Sequence, residues 1–156
     1  MKFKEYKFLR KNLLEKSRQE NSLQEKAQPA PLVLAYLGDA AFSFYVKKRL
    51  VAVEGNKVHV LNDVSAKMVS AVMQAKALRS LTEYLTEKEL DIVRRGRNTK
   101  SAVPKSASVS EYRSSTGFEC LLGWLCWQDD LVRLEFLLDR SFLAINDLLL
   151  EEENGD

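Results

Sequence analysis

The apolar residues of this chain recur at intervals of three and four, which is the spacing of amphipathic helices. Residues 2–19 show this pattern first, with Lys and Arg between the apolar positions. After a polar connector, residues 32–51 are almost continuously apolar and predict a central, largely buried helix. A third helix is predicted over residues 64–80, where Asn62 or Asp63 can cap its start.

Residues with capping chemistry mark the next elements. Thr82 starts a short helix, and Thr86 with Glu89 three residues later forms a capping-box pattern for another. That helix ends near Gly96, and the polar, basic residues 97–107 predict a loop.

The last third of the chain predicts two more helices. One opens at Ser108 or Ser110 and includes the apolar residues 117–127, and the other covers residues 131–150. We expect the acidic tail after it to be frayed. Since no stretch alternates with the two-residue period of a strand, the predicted fold class is all-α.

Length and composition suit one helical domain. The chain has 156 residues but only six glycines and three prolines, a scarcity of breakers that favours long helices. We divide it into an N-terminal helix with its connector (residues 1–28), one globular domain (29–150) and the acidic tail (151–156).

Nothing in the sequence predicts export or a membrane span. The N-terminus is highly charged and lacks the apolar core of a signal peptide, and no apolar stretch approaches ~20 residues. Cys120 and Cys126 point to different sides of one apolar helix, so we interpret them as small buried hydrophobic residues. We expect a cytoplasmic protein with no membrane partner, whose first helix covers the core.

Two carboxylates stand out because each is the only acid in a strongly apolar helical segment. These are Asp39 and Glu119. Burying an unpaired carboxylate costs several kcal/mol or shifts its pKa, so such a group needs a cation, several donors or a hard metal. Oxygen ligands alone suit Mg²⁺ or Mn²⁺. The alternatives are that each acid pairs with an Arg or lies on an exposed edge of its helix.

Other catalytic patterns are absent from the sequence. His59 is the only histidine, so a zinc site has no second His and no suitably spaced Cys, and we expect His59 to lie at the surface. Nothing resembles a nucleophile elbow, a phosphate-binding P-loop or a GxGxxG dinucleotide motif.

A basic run is the third chemical signal. The net charge is only +2, but residues 92–110 carry five basic side chains and no acid. Cations interspersed with Asn, Ser and Thr suit contacts to phosphates and 2′-hydroxyls of RNA. The alternative is a solvated helix end whose Arg side chains satisfy its last carbonyls. The candidate RNA-binding residues are Arg94, Arg95, Arg97, Asn98, Lys100, Ser101, Lys105 and Arg113.

These segments together resemble the catalytic domain of ribonuclease III, and most closely the Mini-ribonuclease III subfamily, which lacks a separate RNA-binding domain. The resemblance covers about residues 29–146. It is carried by Tyr36-Leu37-Gly38-Asp39-Ala40, by the run from Asp91 through Ser101, by Val103-Pro104-Lys105, and by Glu111-Tyr112-Arg113 through Glu119 and on to Gly123.

The resemblance implies an all-helical homodimer that cuts double-stranded RNA with Mg²⁺, for which Mn²⁺ can substitute, and leaves 5′-phosphate and 3′-hydroxyl ends. Carried over by position, Asp39 and Glu119 are the metal-binding catalytic carboxylates, and residues 29–150 form the catalytic domain. The implied substrate is precursor large-subunit ribosomal RNA. A ribosomal protein or a ribosomal precursor particle is a further candidate partner.

The chain departs from the wider ribonuclease III pattern, which has four acids per site. Ala35 stands four residues before Asp39 and Thr116 stands three before Glu119, at positions where that pattern has acids. This reduction is typical of the Mini subfamily. The subfamily also often has Tyr where this chain has Ser114.

Two non-catalytic alternatives remain at the level of sequence. One is an RNA-binding or ribosome-assembly module on the same fold, which needs the basic run but no paired acids. The other is a helical interaction protein whose acids are structural. Metal-dependent cleavage of duplex RNA distinguishes the nuclease from both.

Overall fold

The computed structural model describes residues 2–18, 27–105 and 107–155, and the described part is helical with no strand. The predicted all-α class is confirmed, whereas residues 19–26 of the predicted connector lie outside the described part. The helices are α1 (Lys2–Arg18), α2 (Pro31–Val51), α3 (Val58–Met68), α4 (Ala71–Leu81), α5 (Glu87–Arg97), α6 (Val109–Trp127) and α7 (Leu131–Asn154), with a 3₁₀ turn at Thr82–Tyr84.

Helices α2 and α6 cross at very close range in the middle of the molecule. A Cβ atom on Gly38 would overlap with the carbonyl oxygen of Glu119, and one on Gly123 would overlap with the carbonyl oxygen of Leu34. Only glycine at both positions lets the two backbones approach this closely. The crossing therefore fixes where the residues next to it, Asp39 and Glu119, lie.

The core surrounds α6, which packs against α2, α4, α5 and α7. Phe42 and Phe118 meet edge to face at its centre, with ring centroids 5.1 Å apart and both side chains fully buried. Leu121 and Leu137 are also fully buried in the same cluster. The helices that carry the two acids are thus held by a continuous apolar core.

Capping side chains mark the first turns of α5 and α6 where the sequence predicts that these helices begin. The Thr86 hydroxyl accepts from the Glu89 amide at 3.2 Å, and the Glu89 carboxylate accepts from the Thr86 amide at 2.9 Å. Ser108 and Glu111 form the same reciprocal pair at the start of α6. The predicted capping box is therefore confirmed, and Ser108 rather than Ser110 opens α6.

The prediction of one helix over residues 64–80 is wrong, because two helices occupy this region. Helix α3 ends at Met68, and Ser70 caps α4 by accepting a hydrogen bond from the Met73 amide at 3.3 Å. Asn62 and Asp63 lie inside α3. A serine side chain can satisfy the free amides of a new helix, so the chain turns there.

The prediction that the first helix covers the core is also wrong. Phe3, Phe8, Leu9 and Leu13 of α1 are each more than half exposed. The core formed by α2 to α7 is closed without them. None of the helices described here is both long enough and apolar enough to cross a membrane.

Helix α7 extends beyond the predicted end at residue 150. Its last turn reaches Asn154, where the sequence predicts a frayed acidic tail. Glu152 lies 3.5 Å from the Lys67 ammonium and 3.4 Å from that of Lys76, so this acid of the last turn has two basic partners.

Candidate active site

The two acids that the sequence singles out are brought together by the crossing of α2 and α6. Gly38 packs against the backbone of Glu119, so the adjacent residue Asp39 lies beside the Glu119 side chain. The proximity is electrostatic as well as geometric, because the charge of Asp39 raises the pKa of Glu119. Residues far apart in the chain thus form one acidic site.

The two carboxylates differ in exposure. Asp39 is exposed on the outer side of α2, whereas Glu119 is half-buried. The argument that a lone acid in an apolar helix must be buried therefore holds for Glu119 and is wrong for Asp39. An apolar segment does not make every one of its positions internal, since α2 has an exposed face along its whole length.

Burial controls the protonation of Glu119. It is the main reason that the pKa of this carboxyl rises to about 7, and the negative charge of Asp39 adds to the rise. A hydrogen bond from the side chain of Gln74 lowers the pKa and opposes both effects. Glu119 is therefore poised to change charge near neutral pH when no cation is bound.

Gln74 is a polar residue of this site that sequence reasoning missed. It lies on α4, is 1% exposed, and its Nε2 donates to the Val69 carbonyl oxygen at 3.2 Å. Its Oε1 is buried with no hydrogen-bond partner in the described part of the chain. An unpaired buried amide oxygen is costly. The sequence signal was a single amide within the apolar face of a helix.

The site carries oxygen donors and no balancing cation. Within the described residues, neither Asp39 nor Glu119 has a basic side chain within 4.0 Å, which contradicts the alternative of Arg pairing. The same residues contain no group of three or more His, Cys, Asp or Glu that could hold a metal. The two carboxylates fit a hard divalent cation whose shell is completed from elsewhere.

The two positions where the wider pattern has acids are filled by small buried side chains. Ala35 is 4% and Thr116 is 5% exposed. The Thr116 hydroxyl donates to the Tyr112 carbonyl oxygen at 3.1 Å, so it is engaged by its own helix. Both positions that lack an acid are therefore closely packed, and neither forms a vacant pocket.

Half of the candidate RNA-binding residues surround one cavity. It has a volume of about 440 Å³, lies between α4, α5 and α6, and is called the arginine pocket here. Its lining residues are Leu78, Thr82, Leu85, Leu90, Val93, Arg94, Arg97, Asn98 and Arg113. The basic end of α5 and the first turns of α6 thus converge, although their residues are separated by the loop.

The other candidate RNA-binding residues lie outside this pocket. Arg95 donates through Nε to Asp91 at 2.8 Å. Lys100, Ser101 and Lys105 are exposed on the loop between α5 and α6. The Ser101 hydroxyl lies 3.1 Å from the Tyr112 hydroxyl and ties that loop to α6.

The basic end of α5 packs against α6 at Gly117. A Cβ on Gly117 would come within 2.8 Å of the Arg97 Cγ and 2.9 Å of the Val93 carbonyl oxygen. Gly117 precedes Glu119 by two residues on α6. The end of α5 therefore passes directly over the segment that carries the buried acid.

Comparisons with known proteins identify the family of the chain. The Ribonuclease III domain family matches residues 32–130. A Mini-ribonuclease 3 from Thermoanaerobacter sp. is 42% identical over 76% of this chain and 84% of its own length. Proteins of that name from Symbiobacterium thermophilum and Clostridium tetani are 45% and 36% identical over 71% and 87% of this chain, and over 86% and 88% of their own lengths.

A solved structure supports the fold. The crystal structure of a Fusobacterium nucleatum protein superposes with a TM-score of 0.67 at 24% identity, covering 74% of this chain and 93% of the other. The helical fold and the matching family define a ribonuclease III-type endoribonuclease. The chain belongs to the ribonuclease III family and, within it, to the Mini-ribonuclease 3 group. It is an endoribonuclease that acts on double-stranded RNA, so both non-catalytic alternatives are wrong.

Proposed function

We propose that this enzyme uses Mg²⁺, or Mn²⁺ in its place, held by Asp39 and Glu119, to mature precursor large-subunit ribosomal RNA in the cytoplasm. The main support for the site is that the two acids lie together without a basic partner among the described residues. Oxygen donors of this kind are the ligands that Mg²⁺ prefers. A ribosomal protein or precursor particle is the partner that this substrate implies.

The residues of the site have distinct roles in the proposal. Asp39, exposed on α2, and Glu119, half-buried on α6, hold the ion between them. Gln74 fixes the orientation of Glu119 from the buried side. A bound divalent ion supplies the positive charge that activates the attacking water and offsets charge on the leaving oxygen. Hydrolysis then leaves 5′-phosphate and 3′-hydroxyl ends.

The basic residues position the RNA backbone. Arg97 packs against α6 at Gly117, so a phosphate that it binds lies against the helix that carries Glu119. Exposed Lys100 and Lys105 extend the positive surface along the loop. Such contacts hold the duplex in register without reading its sequence, and they weaken as salt rises.

A homodimer gives each RNA strand its own active site. Helix α2 supports this part of the proposal, because large apolar side chains on one of its faces are exposed. Tyr36 is 82% exposed, Phe44 70%, Val33 55% and Val51 56%. A stripe of this kind on a helix of the catalytic centre is typical of a surface that a second subunit covers.

The test is cleavage of a long RNA duplex with and without Mg²⁺. We expect cleavage by the wild type only with the metal, and none by Asp39→Asn, which should still fold and retain RNA on a low-salt gel. Asp63→Asn, an exposed acid on α3, is the matched control and should cleave normally. Full activity of Asp39→Asn would refute the assignment of the site.

A further inference from the structure

The arginine pocket has features beyond those needed for a backbone contact. Its wall carries the guanidinium groups of Arg94, Arg97 and Arg113 with the amide of Asn98, and its floor is made of Leu78, Leu85, Leu90 and Val93. A volume of about 440 Å³ lies within the range of small-molecule sites. A phosphate alone would leave the apolar floor in water.

Most of the positive charge in the pocket has no acidic partner among the residues that the structure describes. No carboxylate lines it. Arg94 bonds to Asp91, but within the described ranges neither Arg97 nor Arg113 has an ion-pair partner. Positive groups held together in this way favour an anion between them. The ligand must therefore combine a negative charge with a flat or apolar part.

We propose that the arginine pocket binds one unpaired nucleotide of the RNA substrate. Its phosphate lies between Arg97 and Arg113, its base covers the leucine floor, and Asn98 offers both a donor and an acceptor to the base edge. Unstacked bases are commonly held against apolar side chains and guanidinium planes. The inference rests on the proposed function, since it deepens the account of the substrate.

Such a pocket would make the enzyme prefer duplexes that contain an unpaired nucleotide. A base inside a duplex would first have to leave the stack, and that cost is smallest at a bulge or a mismatch. Arg97 belongs both to the pocket wall and to the contact with Gly117 on the helix of Glu119. A nucleotide held there would therefore set the distance from the unpaired position to the cut.

The test measures binding rather than cleavage. Two RNA duplexes, one fully paired and one with a single bulged 2-aminopurine, are titrated with the protein in EDTA by fluorescence anisotropy. We expect the wild type to bind the bulged duplex about tenfold more tightly. The 2-aminopurine fluorescence should rise, because the base leaves its stacked neighbours for a pocket whose described lining holds no aromatic residue. Equal affinities for the two duplexes would overturn the proposal.

Matched variants locate the effect. Leu90, which is 40% exposed, can be changed to Glu without opening the core, and Val132→Glu adds the same charge on α7 outside the pocket. We expect L90E to bind the bulged and the paired duplex with equal affinity while it keeps its helical circular dichroism. V132E should keep the preference. A preference that survives in L90E would contradict the assignment.

A free nucleotide is the other source of the same chemistry. Adenosine 5′-monophosphate should compete for the pocket and lower the affinity for the bulged duplex to the affinity for the paired duplex. If it binds in an L90-dependent way while the two RNAs do not differ, the pocket serves free nucleotides and the RNA proposal fails. Since EDTA prevents cleavage, a bulge preference without metal-dependent cutting would count against the proposed function alone.

Discussion

The backbone carbonyl of Glu119 occupies the space where a side chain on Gly38 would project. This relationship places the buried acid of α6 beside the acid that follows Gly38 in α2. It also makes the active site depend on a contact between two main chains, in which no side chain can move away to relieve a clash.

A methyl group at this contact should therefore damage folding and activity together. We expect Gly38→Ala to destabilise the protein by roughly 3 kcal/mol or more, since overpacking against backbone has no cheap relaxation. Urea unfolding followed by circular dichroism measures the loss. Gly55→Ala is the control, because nothing lies within 4 Å of a Cβ there, and it should change stability little. A stable, active G38A would show that the crossing is looser than described.

The raised pKa of Glu119 predicts a pH-dependent stability of the metal-free enzyme. Its folded value of about 7 exceeds the unfolded value of roughly 4.3, so the folded state holds the proton more tightly. Stability from this group is thus greatest below the unfolded pKa and falls as pH rises through roughly 4 to about 7.

Glu119→Gln should remove that dependence. We expect it to exceed the wild type in unfolding free energy by roughly 1–3 kcal/mol at pH 8, allowing for partial exposure, and to match it near pH 4. Glu135→Gln, an exposed change on α7, should leave the profile unchanged. Parallel profiles for wild type and E119Q would mean that burial does not strain this carboxylate.

Mg²⁺ should offset the cost of the ionised Glu119 carboxylate beside Asp39. With EDTA replaced by Mg²⁺ at constant ionic strength, the melting temperature of the wild type at pH 8 should rise, because binding to the folded state adds about 2.7 kcal/mol at a hundredfold excess over Kd. Asp39→Asn and Glu119→Gln should show little rise. A shift that is equal in all three proteins would place the metal somewhere else.

Gln74 should influence catalysis more than folding. Gln74→Leu removes a buried unpaired oxygen but also the donor to the Val69 carbonyl, so we expect these opposing effects to leave only a small change in stability. It also removes the group that orients Glu119, so kcat should fall roughly tenfold to a hundredfold while KM stays near normal. Single-turnover cleavage measures this, with the exposed Gln128→Leu as control. Unchanged kcat would reduce Gln74 to a packing residue.

The exposed face of α2 should determine the oligomeric state. We expect Tyr36→Asp to convert the proposed dimer into a monomer in sedimentation velocity experiments, because it would place a charge on the apolar face of α2 that a second subunit would cover. Val53→Asp, at a position that is 90% exposed after the end of α2, should remain dimeric. A wild type that sediments as a monomer would contradict the homodimer itself.

The features that sequence predicted well are those set by near neighbours. The capping box of Thr86 and Glu89 depends on residues three apart, and the structure has it as predicted. The break at Ser70 was missed because serine occurs both inside helices and at their N-caps. Only the structure shows that its hydroxyl accepts from the Met73 amide and so begins a new helix.

The features that sequence could not provide depend on packing between distant helices. Gln74 shares the face of α4 that carries Ala77, Leu78 and Leu81, but only the packing of α4 against α6 brings it to Glu119. Asp39 is exposed because α2 turns that side outward, although its neighbours are apolar. That the two acids share a site is a property of the glycine crossing.

Among the described residues, helix α1 contributes no side chain to the core formed by α2 to α7. Because its large apolar side chains face outward, a nick by trypsin at its many lysines and arginines should leave the α2 to α7 body intact. A fusion tag, an affinity handle or a foreign targeting segment could therefore replace it without rebuilding the nuclease.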